Sequence, residues 1–292
     1  VTRQPVLARR AETLLDAAVV ATAPVAGGDI ATATKLRLSN GTTALMKTLT
    51  GAPDDFFTTE AAGLRWLGEV ADGVRVPDVL AVDRDCLILA WVETGRGGSE
   101  DAADLGRRLA TTHRAGAPSY GGSAGAPADG DAYIGRLPLP QAAAPTWAEF
   151  YATRRLLPYA KLARDRGAMT AAESAAVDTV VGRLAALLPE EPPARLHGDL
   201  WNGNVLWGQE GRVTLIDPAA YGGHREVDLA MLALFGLPHL PRAMEAYQEV
   251  HPLAEGWEDR LGLHQLFPLL VHACLFGGGY GARAAATAAR YC

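Results

Sequence analysis

Between residues 195 and 228 the sequence gathers side chains that could hold a metal ion and move a proton. Asp199 and Asn204 stand five residues apart in a polar, glycine-containing loop, Arg195-Leu-His-Gly-Asp-Leu-Trp-Asn-Gly-Asn-Val-Leu-Trp207. A Gly-Gln-Glu-Gly turn follows, then a second apolar run that ends in Asp217. The two apolar runs read as a hairpin, which would bring Asn204 and Asp217 together at its mouth. Two oxygen donors suit Mg²⁺, which takes one or two protein ligands and completes its octahedron with water and phosphate oxygens. Asp199 is then free to orient a hydroxyl or take its proton, and the combination is the chemistry of phosphoryl transfer.

The residues ahead of this stretch offer what a nucleotide's phosphates need. Lys47 lies near the end of a strand-like run, and Glu60 sits on the helical segment that follows, placed to pair with it. Gly27-Gly28 falls between two strand-like runs, where backbone N–H groups could approach phosphate oxygens. Taken singly, Gly-Gly is a turn, Lys47 a solvated charge, Glu60 a helix-surface residue and His197 a structural histidine bonding loop backbone. The order Gly-Gly, Lys, Glu, His-Gly-Asp, Asn, Asp is left unexplained by those separate readings, and it is the order of the protein-kinase-like fold.

These groups need elements to position them. Residues 3–20 carry apolar positions at helical spacing, and residues 19–25, 32–38 and 43–49 are strand-like, with Ser39-Asn40-Gly41 as a hairpin signal. Asp54-Asp55 head a helix of about four turns, acidic at its positive end. Two further strands are expected at 79–82 and 87–92, and Gly95-Arg96-Gly97-Gly98 reads as a flexible joint. Beyond it helices dominate, at 102–114, 147–166 and 170–188, with a buried helix over 266–276. The Gly/Pro/Ala-rich residues 115–145 read as a surface loop ordered in part. The expected architecture is α+β and two-lobed. Residues 1–93 would form a nucleotide-binding N-lobe, a leading helix plus a small antiparallel sheet, and residues 94–292 a larger, mainly helical lobe for catalysis and substrate binding.

Composition narrows the partners. At 292 residues and a net charge of −6, the chain has room for two lobes and no electrostatic drive toward nucleic acid. Cys86, Cys274 and Cys292 have no metal-ligand spacing, so neither a zinc site nor a disulfide framework is indicated. Arg3, Arg9 and Arg10 interrupt any signal-peptide core, and the apolar stretch 266–276 falls far short of the roughly 20 residues that span a bilayer. A cytoplasmic protein is expected.

The segments His197-Gly-Asp-Leu-Trp-Asn-Gly-Asn-Val205, Ile216-Asp-Pro-Ala219 and Gly223-His-Arg-Glu-Val-Asp-Leu-Ala-Met231 closely resemble the signature of the fructosamine/ketosamine 3-kinase family. The likeness extends through Gly27-Gly28-Asp29-Ile30, Glu60 with Gly63-Leu64, Leu105-Gly106 to His113, Ile134-Gly135 and residues 147–156. It implies ATP- and Mg²⁺-dependent phosphorylation of the 3-hydroxyl of a ketosamine, after which the unstable adduct leaves its amine. Under that resemblance Asp199 is the base or orienting acid and Asn204 and Asp217 hold Mg²⁺. Lys47 with Glu60 clamps phosphate, and Leu89, Ala90, Trp91 and Val92 form the adenine hinge through backbone groups. Trp201 and His272 would face the substrate. The His-Gly-Asp core is shared with aminoglycoside and choline kinases, the runner-up class; Trp201 and the Asp-Pro-Ala are the sharper marks.

Three departures stand out. Asp29 lies near the position where some relatives carry a phosphate-loop cysteine, Ala90 replaces the family's hinge acid, and Gln141-Ala142-Ala143 lacks the usual Asn. Gly198 occupies the place of a protein kinase's activation-loop-binding arginine, and no Ser or Thr lies between Asp217 and Asp228. Activity without prior phosphorylation is therefore expected.

Overall fold

The computed structural model describes residues 3–26, 30–122 and 131–292. The first third is a sheet with a helix on each face. Helix α1 (Arg3–Leu15) is followed by strands β1 (Val19–Val25), β2 (Thr32–Leu38) and β3 (Thr43–Thr48), then α2 (Phe56–Gly68), β4 (Val79–Val82) and β5 (Cys86–Ala90). The turn at 39–41 closes as its sequence requires, with Gly41 at φ +85° and Asn40 Oδ1 accepting from the Thr42 amide at 2.9 Å. The five strands run antiparallel in the order β1-β2-β3-β5-β4. Period-two alternation sorts their side chains. Leu36, Leu38, Ala44, Met46, Cys86 and Ile88 pack with Ala11 of α1, whereas Leu87 and Leu89 meet Phe57, Ala61 and Leu64 of α2.

Strand β5 stops at Ala90, two residues before the expected end, with the Trp91 amide making a last contact to β3 through Thr43 O at 3.3 Å. The glycine segment behind it is clamped rather than loose. Gly95 N donates to Trp207 O at 2.6 Å, and a Cβ on Gly97 would lie 2.1 Å from the Trp207 ring. These glycines serve close approach, not freedom.

The rest is mainly helical. Helix α3 (Ser99–Arg114), hairpin strands β6 (Ala132–Ile134) and β7 (Leu137–Leu139), and α4 (Trp147–Phe150) lead through a π-helical turn, Tyr151–Leu156, into α5 (Leu157–Asp165). Next come α6 (Ala171–Val181), α7 (Leu184–Leu187), and the short strands β8 (Ala194–Leu196), β9 (Val205–Trp207), β10 (Val213–Leu215) and β11 (Tyr221–Gly223). Helices α8 (Glu226–Phe235), α9 (Leu240–Val250), α10 (Trp257–Phe276) and α11 (Tyr280–Ala288) complete the chain. Both long helices expected at 147–166 and 170–188 are interrupted. In the first, the widened turn carries Arg155, a fully buried guanidinium held 4.1 Å from the Tyr221 ring centre, with Pro140 O accepting at 2.6 Å. The second breaks at Gly182, where helix propensity is lowest. Among the described residues no helix is long and apolar enough to cross a membrane.

Behind β11 lies a buried ionic cluster. The His224 and His264 rings stack 4.9 Å apart, and Arg260 takes both oxygens of Glu226 at 2.6 and 3.1 Å. His224, Glu226 and His264 could each turn a ligand atom toward a common point. However, His224 Nδ1 accepts the Glu226 amide at 3.2 Å, which leaves the proton on Nε2, and Arg260 already neutralises the carboxylate. The arrangement is an ion-paired core cluster rather than a cation site.

This cluster makes the fold acid-sensitive. Burial, with His264 alongside, pushes His224 down from 6.5 to about 3. Burial opposes ionisation of Glu226, but hydrogen bonds from His264 and Arg260 hold it at about 2 instead of 4.5. Below these ordinary values the unfolded chain binds protons that the folded chain refuses, so stability present at neutral pH is lost as pH falls, from 6.5 for His224 and from 4.5 for Glu226. Urea denaturation should show about 2 kcal/mol less stability at about pH 5 than at about pH 7 from His224 alone. The pH dependence should flatten in His224→Gln.

Candidate active site

Lys47 comes from the central strand β3, opposite Ala33 of β2 and Leu87 of β5. Its ammonium is buried and meets Glu60 of α2 at 2.6 Å and Asp217 at 3.0 Å. Burial alone would lower its pKa; the two carboxylates overcome this and hold the ammonium above its ordinary value. Small residues bring the three together. A Cβ built on Gly63 of α2 would lie 3.2 Å from the Ala220 methyl and 3.7 Å from Pro218, so α2 rests directly on the turn after Asp217. Asp217 itself adopts φ +54°, a left-handed conformation that aims its carboxylate back at Lys47.

The loop bearing Asp199 is fixed from beneath. Gly198 stands at φ +81°, and a Cβ there would lie 2.1 Å from Ala219 O, so only glycine fits between β8 and the Asp-Pro-Ala turn. Asp228, wholly buried at the start of α8, accepts the His197 and Gly198 amides at 2.8 and 2.9 Å. It also accepts from His113 Nε2 at 3.1 Å, and His113 Nδ1 in turn accepts the Tyr247 hydroxyl at 2.8 Å, which sets the tautomer. His197 bonds backbone on both sides, Ile216 O at 2.9 Å and the Asp199 amide at 3.3 Å, and burial keeps it neutral. The bland reading of His197 is the one the geometry supports.

The Asn204 amide donates to Asp199 O at 2.8 Å and to Asp199 Oδ2 at 3.0 Å. The hairpin mouth closes as its sequence suggests, with β9 and β10 paired and the Ile216 amide bonded to Asn204 O at 3.0 Å. Burial, together with the nearby Asp217 and Asp228 charges, pushes the Asp199 carboxyl up to about 7 despite the Asn204 hydrogen bond. Glu60, Asp217 and Asp199 thus gather around one site that holds a single buried lysine, and Asp228 adds its charge from beneath the loop.

The residues expected at the adenine hinge lie at the end of β5 and just past it. Leu89 is buried against α2, Ala90 N donates to Asp78 O at 2.9 Å, and the Lys35 ammonium sits 3.9 Å over the Trp91 ring; Val92 follows. Gly27 and Gly28 lie outside the described residues. Trp201 is 38% exposed, lies over Gly203 and meets Phe235 edge-on at 6.3 Å. His272 extends the row, 4.7 Å from Phe235, 5.4 Å from Phe276 and 5.1 Å from Tyr280. Its Nδ1–H donates to Pro268 O at 2.8 Å, leaving a lone pair on Nε2, and burial lowers its pKa.

Several contributors escaped the sequence reading. Asp228, His113 and Tyr247 act through long-range contacts that no local spacing reveals. Phe276 did leave a signal, since it follows His272 by four residues on one helix, whereas Tyr280 lies past the break at Gly277–Gly279 and is brought in by the next helix.

Known proteins are similar to this chain. The family model described as fructosamine kinase matches residues 5–291. A Thermus thermophilus protein named "Probable ketoamine kinase" is 38% identical over 262 residues, spanning 88% of each chain. A chloroplastic protein-ribulosamine 3-kinase of Arabidopsis thaliana is 34% identical over 231 residues, 77% of this chain and 68% of that one. The crystal structure of a Thermobifida fusca protein described as "putative fructosamine-3-kinase" superposes with TM-score 0.89 at 47% identity, covering 97% of this chain and 96% of the other. A gentamicin complex of APH(2")-IIa, at TM-score 0.67 and 14% identity over 99% of each chain, shares the fold alone. With its kinase-like two-lobed α+β architecture and a match running almost end to end, the chain belongs to the fructosamine kinase family.

Proposed function

We propose that the chain is an ATP-dependent kinase that phosphorylates the 3-hydroxyl of ketosamines, sugar adducts of amines, and so serves deglycation. The observation that carries this reading is Lys47 Nζ held between Glu60 and Asp217, with the Asp199–Asn204 pair on the loop ahead of Asp217, in a chain matching the family throughout. In this reading residues 1–93 form the nucleotide lobe and 94–292 the catalytic lobe. The free state of all three cysteines supports a reducing, cytoplasmic setting.

The donor set fits Mg²⁺. Lys47 engages only Oδ1 of Asp217, and Asn204 uses its amide nitrogen on Asp199, so a carboxylate oxygen and an amide carbonyl remain as hard oxygen donors. When bound there, the ion would neutralise phosphate charge. Lys47, kept protonated by its two partners, would bind phosphate oxygens, with the Gly27-Gly28 backbone alongside. The backbone of residues 89–92 would meet adenine. Asp199, fixed by Asn204, would orient the acceptor hydroxyl in line and take its proton. Its raised pKa makes it a better base than an ordinary carboxylate.

The aromatic row would take the acceptor. Trp201, two residues past Asp199, offers a ring face to the sugar, and His272 offers Nε2 as an acceptor for a substrate hydroxyl or N–H. Phe235, between Trp201 and His272, and Phe276 and Tyr280 beyond His272 would suit the protonated amine and its substituent through cation–π contact.

An ADP-release assay across ketosamines, aminoglycosides and choline, with ³¹P NMR of the products, tests the reading. Phosphate is expected on the sugar O3 of a ketosamine; turnover of choline or an aminoglycoside with none of a ketosamine would overturn it. Asp199→Asn should cut kcat about 10³-fold, while calorimetry still shows MgATP binding. Trp201→Ala should raise ketosamine KM about tenfold with MgATP KM unchanged.

A further inference from the structure

The hairpin β6–β7 lies in the stretch whose composition reads as a surface loop, yet it bridges the two lobes. Alternate residues Ala132, Ile134, Leu137 and Leu139 are buried in the helical lobe's core. The hairpin's own carbonyl at Pro138 accepts the Tyr159 hydroxyl at 2.7 Å. Strand alternation then turns Tyr133 to the opposite face. There its ring packs on Phe56 at 5.2 Å, and its hydroxyl donates to Asp55 Oδ1 at 2.6 Å. Asp55 immediately precedes α2, where a carboxylate ordinarily caps its own helix. It makes no side-chain cap bond, and the carboxylate is committed to Tyr133 instead.

Helix α2 is consequently tied to the helical lobe at three points. Tyr133 holds its start, Ala220 meets Gly63 at its middle, and Arg195 holds its end by lying 4.6 Å over the Trp66 ring and donating to Trp66 O. Glu60 stands five residues beyond Asp55, about 7.5 Å along the helix axis. The start of α2 cannot swing out, taking Glu60 off Lys47, without breaking the Tyr133–Asp55 bond.

We propose that Tyr133 is a positioning residue for phosphoryl transfer: through Asp55 it sets α2 so that Glu60 keeps Lys47 in place. In switchable kinases this placement of the lysine–glutamate pair is controlled by a phosphorylated segment. Here a hairpin of the catalytic lobe supplies it permanently, consistent with the lack of Ser or Thr between Asp217 and Asp228. The proposal rests on the kinase reading above.

Two readouts test it, one independent of activity. In steady-state kinetics with a ketosamine that the wild type turns over, Tyr133→Phe keeps the ring but should lower kcat/KM for MgATP about tenfold, the factor a charge-assisted hydrogen bond supplies. Ketosamine KM should stay within about twofold. Asp55→Ala should match it, Asp55→Asn, which keeps an acceptor, should retain most activity, and the double variant Tyr133→Phe/Asp55→Ala should be no worse than either single. Brief acetylation with mass-spectrometric readout is tractable because the chain has three lysines, Lys35, Lys47 and Lys161. Lys47 labelling should rise several-fold over Lys161 in Tyr133→Phe. Unchanged Lys47 labelling and unchanged kcat/KM in Tyr133→Phe, or losses that multiply in the double variant, would overturn the proposal. A wild type silent toward every acceptor would instead defeat the kinase reading, and the labelling result would still decide whether Tyr133 governs Lys47.

Discussion

A buried ammonium shared by two carboxylates is the constraint on which the structure turns. Lys47 sits in the sheet lobe, Glu60 on the helix beside it and Asp217 in the helical lobe, all within 3.0 Å of one nitrogen. A charge taken out of water is tolerated only when paired, and removing one partner leaves the others uncompensated. Because the partners come from both lobes, the need to pair Lys47 also fixes how the lobes meet. The same region holds Asp199 and Asp217 with Asp228 beneath them, so in the proposed reading a triphosphate entering an acidic chain would meet positive charge supplied locally at Lys47 rather than by the net charge of −6.

That pairing depends on backbones lying closer than side chains would allow. Gly63 lets α2 rest on Ala220, Gly198 passes beneath Ala219 O, and Gly97 slips under the Trp207 ring. Each glycine removes a steric barrier between an element of the site and the element that supports it. Asp228 serves the same end electrostatically. Its carboxylate gathers two loop amides and His113, so the loop carrying Asp199 is held from beneath by hydrogen bonds.

The two halves of the site differ in construction. The side proposed to take phosphate is a buried lysine paired with one buried and one half-exposed carboxylate. The side proposed to take the acceptor is an aromatic row ending in exposed rings, Trp201 and Phe276, with His272, its pKa lowered by burial, between them. Rigid charge placement suits a phosphoryl group whose geometry does not vary, whereas ring faces adapt to sugars and amines of different shape.

The sequence by itself determined the residue types and their local spacing. Alternation placed Cys86 and Ile88 against α1 and Leu87 and Leu89 against α2, Asn40-Gly41 set a turn, and Asp199, Asn204 and Asp217 were legible because a loop and a hairpin bring near neighbours together. Glu60 was legible because it follows Lys47 by one element. Only the tertiary structure decided the rest, since it depends on contacts between residues far apart in the chain. Asp228 reaches back to residues 197 and 198 and across to His113, the glycines at 95 and 97 are clamped rather than loose, and the segment read as a surface loop holds a hairpin that grips α2 through Tyr133 and Asp55, 78 residues apart. Composition could mark those residues as polar, small or aromatic; which partner each would meet was set by packing.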